Sequence, residues 1–131
     1  MDTLGLLREA RETFVDGHHI ATLLLAISFI EHTIAEELQL RSITKDSLIF
    51  QNALKAAAEH KVFPQEWIER TEKLRLLRNP FAHLKDLKHE HTIGSRYRKK
   101  QVHPATLLET DAKESLELMY KYFAATLRAD A

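Results

Sequence analysis

An arginine, an asparagine and a histidine stand close together in the stretch Arg78-Asn79-Pro80-Phe81-Ala82-His83, and their combined chemistry is that of phosphate esters. The arginine side chain is planar and permanently charged, and it grips phosphate oxygens through two parallel hydrogen bonds. The histidine side chain is the one best able to exchange a proton near neutral pH. Proline pushes the residue before it out of helical geometry and suits the first turn of a new helix, so Asn79 reads as a cap. On this reading an incoming helix ends or kinks near Arg78 and a new turn opens at Pro80. Its free backbone N–H groups and its dipole would favour an anion such as phosphate, and would suit His83 to act as a general base. In an uninterrupted helix, at about 100° per residue, positions five apart diverge by about 140°. Either the break realigns Arg78 and His83, or each meets groups from a second subunit. A plainer reading uses the same residues to hydrogen-bond backbone carbonyls and hold a kink.

These residues need helices to position them. Three glycines and three prolines punctuate the sequence, and most of the remainder follows a helical repeat. A first helix is predicted over about residues 2–16, with Leu4, Leu7 and Phe14 on one side and Gly17 as its stop. A second, over 18–40, carries Ile20, Leu23, Leu24, Ile27, Ile30, Ile34 and Leu38, the broad apolar stripe of a central helix. A third is predicted over 45–60, with Thr44 as N-cap and Ile49, Phe50, Ala53, Leu54 and Ala57 inward. A fourth opens at Pro64, carries Trp67, Leu74 and Leu77, and delivers Arg78. Residues 86–103 are polar and aperiodic, which predicts a long surface loop. Pro104 starts a last helix with Leu108, Ala112, Leu116, Met119, Phe123 and Leu127 at helical spacing. The expectation is an all-α chain of four to five main helices in a single domain, 1–131.

Two further groups of residues bear on the same chemistry. Glu31 flanks the apolar stripe of the second helix, either on its solvated edge or as a carboxylate that pairs with Arg78 and orients it. Lys85, Arg96, Tyr97, Arg98, Lys99 and Lys100 follow the motif closely. Basic groups neutralise phosphates and a tyrosine stacks on an unpaired base, as in single-stranded RNA contacts, although a solvated charged loop has the same composition. The eight histidines do not form a metal motif, since His89-Glu90-His91 lacks helical ligand spacing and the chain has no cysteine. No metal or cofactor is expected. Gly94-Ser95-Arg96 lacks the glycine and lysine pattern of a nucleotide-binding loop.

Composition sets the outer limits. The chain has 131 residues, long enough for one core, and its 19 basic residues balance its 19 acidic ones, so any nucleic-acid contact must come from a local patch. The absence of cysteine excludes disulfides and fits a reducing, cytoplasmic setting. The N-terminus does not read as a signal peptide, and the apolar stretch 23–34 is interrupted by Ser28, Glu31 and His32, so no membrane span is expected.

The stretch Leu74-Arg75-Leu76-Leu77 followed by Arg78-Asn79, three residues and His83 resembles the HEPN superfamily, whose hallmark is an Arg, a polar residue and a later His in a helical bundle. The resemblance implies an up-and-down bundle that dimerises and brings two copies of the motif into one cleft. It implies a metal-independent endoribonuclease, often a toxin or defence effector, or else a relative that only binds RNA or a protein partner such as an antitoxin. His83 would then transfer protons, Arg78 would stabilise the phosphorane-like transition state and Asn79 would position it. In the branch controlled by a nucleotidyltransferase antitoxin, a tyrosine follows the His by two positions. Here that position is Lys85, which argues against that route of regulation.

Overall fold

The computed structural model describes residues 3–46, 48–83 and 104–127, with the backbone alone for 79–83, 104 and 105. The chain is an all-α bundle of five described helices: α1 (Thr3–Val15), α2 (His19–Leu40), α3 (Phe50–Glu59), α4 (Gln65–His83) and α5 (Pro104–Ala125). Among the described residues there is no strand.

Among these helices α2 is the one that touches all the others, as its wide apolar stripe leads one to expect. Leu23, Ile27, Ile30, Ile34 and Leu38 are buried along it, and they meet Ala10 of α1, Leu54 of α3, Leu74 of α4 and Met119 of α5 in one core cluster. By length and composition alone α2 would also cross a membrane, with a mean hydropathy of 1.2. Seven of its apolar side chains between Leu23 and Leu38 are buried in the bundle, whereas Ile20, expected on the inward stripe, and Leu40 are exposed.

The first three helices end in the same way. Each has a left-handed residue just past its C-cap: Gly17 at φ 83°, Ser42 at φ 59° and Lys61 at φ 51°. In each case the following N–H reaches back to the carbonyl near the helix end: His18 to Thr13 at 2.8 Å, Ile43 to Leu38 at 2.9 Å and Val62 to Ala57 at 3.0 Å. These closures satisfy carbonyls that the helix leaves free. Gly17 adopts its φ without the crowding a Cβ brings, whereas Ser42 and Lys61 hold theirs against that preference.

Two expectations are corrected. The third helix starts at Phe50, not near residue 45, and its N-cap is Ile49 in an extended conformation with no side-chain cap. Thr44 instead donates to the Asp46 carbonyl at 2.8 Å, a local turn that competes with helix entry. Ile49, expected inside, is 67% exposed, and Leu4 and Leu127 near the chain ends are exposed as well.

The inward face of α5 also extends beyond the expected stripe. Asp111, Ser115, Leu118 and Tyr122 are buried with Ala112, Leu116 and Met119. Tyr122 packs edge-on against Phe63 at 4.8 Å and Trp67 at 5.3 Å between ring centres. Its hydroxyl lies 2.8 Å from Thr71 Oγ1. Thr71 already donates its one hydrogen to the Trp67 carbonyl at 2.7 Å, so Tyr122 is the donor in this pair. Burial pushes the Tyr122 phenol up to about 12.

Candidate functional site

Helix α4 carries the motif, and its course corrects one expectation. The helix does not end at Arg78: it continues through Asn79 and Pro80 to His83. Pro80 has no N–H to offer the carbonyl four residues earlier, yet a proline inside a helix is tolerated at a cost when the surrounding structure supports it. No new helix begins at Pro80, and the anion site expected from a fresh helix N-terminus is therefore not formed there. Along one continuous helix, positions 78 and 83 are turned from each other by about 140°.

Arg78 comes toward the bundle from the face of α4 that also holds Thr71 and Leu74, both fully buried. Its side chain is 15% exposed, and Nη1 lies 3.6 Å from Oε1 of Glu31 on α2, whose side chain is 42% exposed. The guanidinium carbon sits 5.6 Å from the ring centre of Phe50, the first residue of α3. Three helices thus meet at one cation. Arg78 Nε is buried, and among the described residues it is the one buried side-chain nitrogen or oxygen without a hydrogen-bond partner. Leaving such a donor unpaired costs on the order of 1–3 kcal/mol, so its retention calls for an explanation.

Arg75, one turn earlier, is handled differently. Its Nε and Nη2 donate to the two carboxylate oxygens of Glu72 at 2.8 and 2.7 Å. The hydrogen bonds from Arg75 hold the Glu72 carboxyl below its usual range, against the opposing effect of burial, with help from the charges of Arg75 and Lys55. Arg75 is committed to its partner. Arg78 is held by one long ion pair and a ring face.

Beside Glu31 the outer stripe of α2 lines an open groove of about 470 Å³, bounded by Ser28, His32, Glu36 and Gln39 and closed on one side by Leu48. Among the described residues no three histidine, aspartate or glutamate side chains gather for a metal ion.

Of the residues singled out in the sequence, the structure brings Arg78 and Glu31 together, realising the pairing that was one of the two readings of Glu31. Asn79 and His83 are placed by the α4 backbone only. Lys85, Arg96, Tyr97, Arg98, Lys99 and Lys100, with the whole 86–103 loop, lie outside the described residues. Phe50 was read as a core residue alone. Nothing in its local pattern reveals that its ring also faces a cation on another helix.

Compared with protein-family models, with curated proteins and with solved structures, the chain finds no match.

Proposed function

We propose that this chain is a metal-independent endoribonuclease of the HEPN type, acting as a homodimer, in a toxin or defence setting. The observation that carries the reading is Arg78: a nearly buried cation with an unpaired Nε, held only loosely by Glu31. A structural arginine at such a depth would be expected to pair its buried donors, as Arg75 does by giving Nε and Nη2 to Glu72. The Nη edge of Arg78, held at the rim by one long contact to a half-exposed carboxylate, is the part that would receive a phosphate.

In the proposed reaction the 2′-hydroxyl of RNA attacks the adjacent phosphorus and passes its proton to His83. The bond to the 5′-oxygen breaks, that oxygen takes up a proton, and the products are a 2′,3′-cyclic phosphate and a free 5′-hydroxyl. Arg78 stabilises the charge that develops on the equatorial oxygens, and Asn79 orients the scissile phosphate. Because positions 78 and 83 diverge on one continuous helix, the two roles are completed across a two-fold axis by a second copy of the chain. The basic residues from Lys85 to Lys100 would hold the RNA backbone.

A second reading is a non-catalytic module that binds RNA or a protein partner. It draws on the open groove beside Glu31, where the Glu31 and Glu36 carboxylates would repel phosphate and so favour a protein partner over RNA.

One experiment separates the two. Purified protein is incubated with RNA in excess EDTA, alongside Arg78→Ala and His83→Ala. Cleavage by the wild type and a loss on the order of 10²-fold or more in both variants is expected. Cleavage by all three proteins, or by none, removes the catalytic reading.

A further inference from the structure

Phe50 lies on a different helix from the motif and far from it in sequence, yet its ring faces the Arg78 guanidinium, 5.6 Å from ring centre to guanidinium carbon. That distance falls within the range where a ring quadrupole attracts a cation. Phe50 is itself buried in the core cluster, so its ring is fixed by packing. On the guanidinium, Nε is buried with no hydrogen-bond partner among the described residues, while Nη1 points to the half-exposed Glu31. The group therefore meets two surroundings: buried apolar packing beside the Phe50 ring, where Nε finds no acceptor among the described residues, and a carboxylate at the rim that solvent or another anion can displace.

We propose that Phe50 is a positioning residue for Arg78. Its ring face stands in for the acceptor that Nε lacks, sets the plane of the guanidinium and leaves the Nη edge directed outward, toward Glu31 at rest and toward a phosphate oxygen when substrate is present. A carboxylate in place of the ring would satisfy Nε but would also neutralise the cation, weakening its pull on phosphate. The aromatic face holds the group without discharging it. The functional part of this inference rests on the nuclease reading. The placement of Arg78 by Phe50 does not.

The test uses Phe50→Leu and Phe50→Met, which keep an apolar side chain but remove the ring, and Phe50→Tyr, which keeps the ring face. Leu118→Val, a buried change on α5, controls for lost packing. Two readouts are taken. In the ¹⁵N–¹H spectrum the Arg78 Nε proton, identified by its loss in Arg78→Lys, is shifted upfield by the ring. The Leu and Met variants should move it downfield, while Tyr and the Leu118 control leave it near the wild-type position. In RNA cleavage with EDTA present, the Leu and Met variants should lose roughly tenfold in kcat with a smaller change in KM, Tyr should recover most of the loss, and Phe50→Leu should add nothing in an Arg78→Ala background. An Nε resonance indifferent to removal of the ring overturns the proposal whatever the activity. So does a cleavage loss no larger than that of Leu118→Val. A wild type that does not cleave RNA sinks the nuclease reading, and the resonance then decides the placement alone.

Discussion

Thr71 and Arg78 lie about two turns apart on the face of α4 that meets the bundle, and the fold treats their polar groups in opposite ways. Thr71 gives its hydrogen to the Trp67 carbonyl and receives one from Tyr122, so the pair is closed, buried and ringed by Phe63 and Trp67. Arg78 keeps one buried nitrogen unpaired and one long contact to a half-exposed carboxylate. Filled hydrogen bonds in a low-dielectric interior specify one arrangement, whereas a buried donor left unfilled lowers stability. The part of α4 around Thr71 is closed into the core, and under the proposed function the part after Leu77 serves the site.

The comparison can be broken by experiment. The largest effect belongs to the site: Arg78→Met should abolish RNA cleavage, by a factor on the order of 10²–10³, in an EDTA-containing assay. Next comes Thr71→Val, which removes the acceptor for a buried phenol. It should destabilise the protein by about 1–3 kcal/mol in urea unfolding, and adding Tyr122→Phe should give back part of that loss. The same pair predicts an alkaline limit. The Tyr122 phenol is raised from 10.0 to about 12 in the folded protein, so its contribution is complete below pH 10 and is lost as pH rises toward 12. Unfolding free energies measured across that window should fall, and Tyr122→Phe should flatten the slope. The smallest effect has the opposite sign: Arg78→Met should leave stability unchanged or raise it by about 1 kcal/mol, since an apolar chain replaces an unpaired donor. A destabilisation as large as that of Thr71→Val would show Arg78 to be a structural residue.

Much of the bundle was legible in the sequence because helices announce themselves locally. The stripe from Leu23 to Leu38 gave α2 and its central place, Gly17 marked the end of α1, and Pro64 and Pro104 marked the openings of α4 and α5. The entry to α3 was misread because a threonine that looks like a cap spends its hydroxyl on a turn. Ser42 and Lys61 were silent as helix stops, since neither residue type signals a left-handed conformation. The inner face of α5 was underestimated because Asp111 and Ser115 look like solvent residues until their burial is seen.

The site divides in the same manner. Residue type and order along the chain suggest phosphate chemistry for Arg78 and His83, because charge and proton exchange belong to individual side chains, and they leave Glu31 open between a solvated edge and a pair with Arg78. Tertiary structure decided that α4 runs on through Pro80, against a local preference for a break worth about 3 kcal/mol. It also decided that Phe50 faces Arg78 and that Nε stays unpaired, because those facts depend on how α2, α3 and α4 pack together in three dimensions.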